Sequence, residues 1–180
     1  LDVVYNHAGG DFGDQSLYFF DRQNPAGGQR HSLYFADVGH AGGLVFDFAK
    51  PEVRDFLIQN AKFFLTEYRV DGFRYDQVSV IEHDGAPEGW RFCQDLTSTV
   101  HAQRLETLHH AEYWDVNPFI VAPLPVGAGF DTTLTDGLRI VIRDVIGNAS
   151  APDGRPLNMM GLARSLWPEG FNEFWRFVQG

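Results

Sequence analysis

Two short apolar runs, each closing on a carboxylate and separated by a helix-length segment, constrain this chain more than any other feature. The first is Val70-Asp-Gly-Phe-Arg-Tyr-Asp76, too short and too punctuated for a helix, and the second is His109-His-Ala-Glu112. Side chains alternate along a strand, so Arg74 and Asp76 share one face about 7 Å apart while Phe73 and Tyr75 turn the other way into a packing layer. Residues 88–105 between the runs have helical spacing around Trp90, Phe92-Cys93 and Leu96. Upstream, Pro51 takes the favoured first position of a helix, and Val53, Phe56, Leu57, Ala61, Phe64, Leu65 and Tyr68 follow at three- and four-residue steps. Residues 136–147 predict a third helix, around Leu138, Ile140-Val141 and Val145-Ile146, and residues 160–178 one or two more. Leu1-Asp-Val-Val-Tyr5, in front of Asn6-His7, reads as the end of a buried strand. Strands alternating with helices in this way signal parallel βα units, whose active sites lie at the C-terminal strand ends. Both carboxylates fall there.

Residues 8–50 depart from the alternation, with eight glycines and little helical periodicity. They read as loops with some short strands, and excursions of that length inside a compact fold are usually functional. Residues 82–87 read as a loop. The chain has no internal repeat and no low-complexity tract.

Composition narrows the partners. With 24 acidic against 14 basic residues the formal charge is −10, which argues against a nucleic-acid backbone or an anionic membrane surface. A neutral or cationic substrate suits it better. The longest apolar runs, such as Phe119 to Val126, fall far short of the roughly 20 residues needed to span a bilayer. The one cysteine, Cys93, has no internal disulfide partner and reads as a buried small hydrophobe. His109 and His110 are adjacent strand residues on opposite faces, and no His-Glu-x-x-His spacing occurs, so metal catalysis has no sequence support.

Asp76 and Glu112 lie about one βα repeat apart, so on adjacent barrel strands their side chains converge at one mouth. Such a pair suits glycoside cleavage, one carboxylate attacking the anomeric carbon and the other giving a proton to the leaving oxygen and then taking one back. Arg74 would keep Asp76 ionised, whereas a protonated Glu112 needs surroundings that favour its neutral form. Spacing alone is met equally by two solvated strand-end acids.

Asp2-Val-Val-Tyr-Asn-His7, Asp71-Gly-Phe-Arg-Tyr-Asp76 and Ala111-Glu-Tyr-Trp114 resemble, in order, the first three signature regions of the α-amylase family of retaining glycosidases and transglycosidases. The resemblance implies an α/β fold, part of a (β/α)8 TIM barrel running from about strand 3 to the helices after strand 5. Residues 1–7 and 51–180 would belong to the barrel, and 8–50 to a short insertion after strand 3, where the family carries a small second domain. By the same resemblance Asp76 matches the nucleophile and Glu112 the general acid/base. Arg74 matches the arginine that positions the nucleophile, His7 a histidine that hydrogen-bonds the sugar, Asp2 a mainly structural aspartate, and Asn6 an asparagine that ligates calcium in many members. The implied partner is an α-1,4-glucan or maltooligosaccharide, with no nucleic acid, no membrane and no required cofactor.

Departures from the family pattern matter as well. A third carboxylate, an aspartate usually preceded by His, should follow Glu112 by several tens of residues, and nothing there reads His-Asp; His83-Asp84 comes too early. The missing residue is expected beyond Gly180, and the chain, which starts without Met, is expected to be an internal segment, inactive and poorly folded in isolation. Compartment is left open. Gln77-Val-Ser-Val80 stands where calcium-dependent amylases often have Lys-His, which weakens the case for calcium at Asn6. Leu44-Val-Phe-Asp-Phe48, Glu52-Val-Arg54, Val70-Asp-Gly-Phe-Arg74 and Gly127-Ala-Gly-Phe-Asp131 are more similar to glycogen branching enzymes and trehalohydrolase-like members than to secreted starch amylases, although 127–131 reads equally as a loop turn. Tyr5, Tyr113 and Trp114 either stack on sugar faces or pack the barrel rim; Trp90, Trp167 and Trp175 read as core. The expectation is a hydrolase of α-1,4-glucosidic bonds, with α-1,6 branching as the alternative and a non-catalytic glucan-binding relative as a third reading.

Overall fold

A computed structural model describes residues 1–9, 32–115, 117–134 and 136–166; Trp167, Trp175 and most of the expected 160–178 helical stretch lie outside the described residues. Four parallel strands form the main sheet, in the order β1 (Asp2–Val3), β5 (Gly72–Tyr75), β6 (Leu108–Ala111) and β7 (Thr132–Thr133). Between the first two come β2 (His7–Gly9), β3 (Phe35–His40), β4 (Gly43–Phe46) and helix α1 (Pro51–Glu67). Helices α2 (Val78–His83) and α3 (Glu88–Gln103) connect β5 to β6, and α4 (Asp136–Ala149) and α5 (Met159–Leu166) follow β7. The alternation expected from the sequence is present, as a partial α/β barrel.

Helix α1 begins with Pro51 as expected and buries Val53, Leu57, Ile58, Ala61 and Leu65. Phe56 and Tyr68 do not join that stripe but are half exposed or more. The buried line advances by four residues from Val53 to Leu65, which leaves Phe56 and Tyr68 at its margins; Phe56 packs against Tyr34 instead, ring centres 5.7 Å apart. Helix α3 buries Phe92, Cys93, Leu96 and Val100 against the sheet, with Trp90 only partly covered. Phe73 and Tyr75 of β5 join this core, whereas Arg74 stays on the opposite, more open face. Strands β5 and β6 come close enough that a Cβ on Gly72 would sit 2.6 Å from the Leu108 carbonyl oxygen, so glycine is required at that pairing.

Two elements carry no clear sequence signal. Helix α2 covers six residues, too few for periodicity to show, and it takes in Glu82 and His83 of the expected loop. Strand β7 is only Thr132–Thr133. The excursion after β1 contains the antiparallel sheet β2-β4-β3. Its β3–β4 hairpin turns through Ala41 and Gly42, both with positive φ (47° and 82°), the combination that a two-residue type I′ turn demands.

Candidate active site

Parallel pairing brings the site together. Asp2 lies in register with Arg74, and Arg74 with His110. Asp76 and Glu112 each stand one residue past the end of their strands, on adjacent β5 and β6, and their backbones continue the ladder. The Asp76 N–H donates to the Val3 carbonyl (2.9 Å), and the Glu112 N–H to the Tyr75 carbonyl (3.0 Å).

One guanidinium joins three carboxylates. Arg74 Nη1 lies 2.7 Å from Asp2 Oδ1 and 3.0 Å from Asp76 Oδ1, while Nη2 lies 2.6 Å from Glu112 Oε2. Asp76 and Glu112 are thus separated by about the width of one guanidinium, a planar fork whose donors diverge. The glutamate is the more enclosed, its side chain 14% exposed against 25% for the aspartate. A second donor reaches Glu112 Oε2, the Gln77 backbone N–H at 3.0 Å. Both donors hold the same oxygen and leave Oε1 outside this grip. The nearest partner of the Glu112 carboxylate is the Arg74 guanidinium.

Asn6 is fully buried. Its Nδ2 donates to the Asp76 backbone carbonyl (2.6 Å) and to Asp76 Oδ2 (3.1 Å), and its Oδ1 accepts from His7 Nδ1. His7 therefore braces Asp76 through Asn6 while its Nε2 stays outside that relay. Burial, and then the neighbouring His40, lower the His7 pKa against an opposing pull from Asp76, which favours a neutral imidazole. Asn6 is the position at which the family resemblance would place a calcium ligand. Both ends of the amide are engaged, and the described residues contain no group of three His, Cys, Asp or Glu side chains able to hold a metal ion.

The aromatics separate. Tyr5 and Tyr113 are 4% and 3% exposed. Tyr5 donates to Asn60 Oδ1 at 2.8 Å, and Tyr113 donates to Glu82. Neither offers a ring face to a sugar, since both side chains are almost fully enclosed. Trp114 is 46% exposed, with the Arg139 guanidinium 5.7 Å from its ring centre.

Sequence reasoning missed two residues at this mouth, His40 and Gln77. His40 Nε2 donates to Gln77 Oε1 (2.5 Å), and its ring meets His7 edge-on with centres 5.1 Å apart. Gln77 adopts φ 36° and ψ 60°, a left-handed conformation that costs a residue with a Cβ about 1–2 kcal/mol. Nothing in the composition around either residue marks them; only the folded hairpin places them together.

No family model matches the sequence. The 1,4-alpha-glucan branching enzyme GlgB of Myxococcus xanthus is 32% identical over 143 residues, covering 69% of this chain and 18% of that protein. The GlgB of Mycobacterium tuberculosis (strain H37Rv) is 31% identical over 136 residues, covering 72% of this chain and 16% of that protein. The chain thus spans less than a fifth of the length of these curated relatives. Among solved structures, the noncanonic maltogenic alpha-amylase AmyB from Thermotoga neapolitana superposes with a TM-score of 0.58 at 18% identity, over 94% of this chain and 35% of that one. The type III pullulan hydrolase from Thermococcus kodakarensis gives 0.57 at 23%, over 89% of this chain and 28% of that one. At those identities the structural likeness speaks for the fold, and the sequence relatives carry the rest. The ordered motifs, the parallel strands that deliver them and the relatives in both comparisons agree: this chain belongs to the α-amylase family, as a segment of its α/β barrel.

Proposed function

We propose that the protein carrying this chain is a retaining, α-glucan-active glycosidase that cleaves α-1,4-glucosidic bonds by double displacement. The observation that carries the reading is the placement of Asp76 and Glu112 at the C-terminal ends of adjacent parallel strands, drawn to a single guanidinium. In the first step the Asp76 carboxylate attacks the anomeric carbon, forming a glycosyl ester as the glycosidic C–O bond breaks. Glu112 supplies the proton that leaves with the aglycone oxygen. In the second step Glu112 takes a proton from water, whose oxygen displaces Asp76 from the same carbon; two inversions give retention. Arg74 pairs with the Asp76 carboxylate, and Asn6 fixes its orientation. His7 Nε2 and the exposed face of Trp114 are the groups assigned to sugar contact, with Asp2 as a structural partner of Arg74. We assign no sugar contact to Tyr5 or Tyr113.

The similarity to proteins named as branching enzymes supports a second reading, in which another glucan's 6-hydroxyl replaces water in the second step. Full-length protein incubated with amylose, with reducing ends and α-1,6 branch points followed together, separates the two. Lasting reducing ends without branches mean hydrolysis, and new branches with few reducing ends mean transfer. If neither changes, a non-catalytic glucan-binding protein replaces both.

A further inference from the structure

We propose that His40, delivered by the β3–β4 hairpin, is a positioning residue for Glu112 that acts through Gln77. The proposal rests on the catalytic reading above and assigns a duty to the excursion that precedes α1.

Gln77 ties the turn after Asp76 to Glu112. Its backbone N–H donates to Glu112 Oε2 (3.0 Å), and the next N–H, of Val78, donates to the Glu112 backbone carbonyl (2.7 Å). The turn after Asp76 therefore holds Glu112 at both its backbone and its carboxylate. Yet Gln77 is left-handed, a conformation that Gly, Asn or Asp takes far more readily than Gln. It is also the N-cap of α2, and its side chain makes no capping bond there. That side chain instead reaches across to the insertion, where His40 Nε2–H meets its Oε1. His40 is the last residue of β3, paired with Gly43 across the two-residue turn, so the hairpin sets its position. A strained backbone turn anchored at its side-chain tip from outside the barrel has a defined use, keeping the amide aimed at Oε2. Arg74 and Gln77 then share Oε2, and the proton exchanged with the glycosidic oxygen is carried on Oε1. Without His40 the turn can relax, Oε2 loses one of its two donors, and the carboxylate is freed about its terminal torsion. Misplacement of a catalytic group by about 1 Å costs on the order of 100-fold in rate.

The test separates acid delivery from general damage, using full-length protein and two substrates. A maltooligosaccharide needs a proton on its leaving oxygen, whereas α-glucosyl fluoride expels fluoride with little help from an acid. The value of kcat/KM reports the glycosylation step for each. For His40→Ala we expect a fall of about 10-fold to 100-fold on the maltooligosaccharide and less than about 3-fold on the fluoride. His40→Gln, which keeps a donor in reach of Gln77, should recover most of the loss. Gln77→Asn tolerates the left-handed backbone but cannot reach His40, so it should show the same substrate split and covers the case of a poorly folded His40→Ala. Equal losses on both substrates, or no loss on either, overturn the positioning role while leaving the catalytic reading intact. Wild-type protein inert towards both substrates overturns the catalytic reading and this proposal with it.

Discussion

At the scale of single residues, the site is a competition for one cation. Arg74 is shared among Asp2, Asp76 and Glu112, and among the described residues only Asp76 has a second side-chain partner, Asn6, that also secures its backbone carbonyl. This redundancy allows the Asp76 charge to be removed with little disturbance to its position. Asp76→Asn should keep the thermal unfolding temperature of the full-length protein within a few degrees while lowering kcat on amylose by a factor on the order of 10⁴ or more, as loss of a covalent nucleophile does. A variant retaining near-native turnover would remove Asp76 from the chemistry. The residues that the strands deliver were legible from spacing: Arg74 and Asp76 share a face, and Phe73 and Tyr75 are buried behind them. Tyr5 and Tyr113 were not, because an aromatic beside a motif has the same sequence appearance whether its hydroxyl is satisfied inside or its ring lies open.

At the scale of elements, the β3–β4 hairpin has an imperfect turn. A type I′ turn favours Asn-Gly, and this one has Ala41 at φ 47°. Ala41→Asn should therefore stabilise the protein by about 0.5 kcal/mol. The shift is readable as a higher denaturant midpoint of the full-length chain, and a lower midpoint would mean the turn is held by contacts that the alanine methyl makes. The long helices α1 and α3 were readable because 17 and 16 residues give periodicity room to repeat. The hairpin was not, since a glycine-rich excursion has the composition of a loop. Its strands appear only once β2 supplies a partner for β4.

At the scale of the whole molecule, stability is tied to pH through the layer behind the sheet. His109 of β6 is fully buried, stacked on Tyr75 at 5.6 Å and bonded to its hydroxyl at 2.9 Å, while its Nε2 and the Thr107 hydroxyl have no hydrogen-bond partner among the described residues. Burial, with His101 beside it, lowers its pKa to about 3. Below the ordinary imidazole value of about 6.5 the unfolded chain binds a proton that the folded chain refuses, so this group's contribution is intact above that pH and lost progressively as pH falls towards about 3. The stability difference between wild type and His109→Gln should therefore be about 2 kcal/mol larger at pH 7 than at pH 5. Equal differences at the two values, measured by denaturant titration of the full-length proteins, would show that His109 protonates in place. The barrel order and its carboxylate mouth could be read in the chain because each depends on neighbours one βα unit apart. This buried layer, and the His40–Gln77 bond, depend on packing that sequence distance conceals. The hairpin register has a final consequence, for how such a chain can change over evolutionary time. His40 faces Gly43 across only two residues, so a single residue gained or lost at Ala41–Gly42 has to be absorbed as a bulge or it shifts the β3–β4 register that places the histidine. Length changes in this turn are therefore harder to accommodate than substitutions, which leave the register in place.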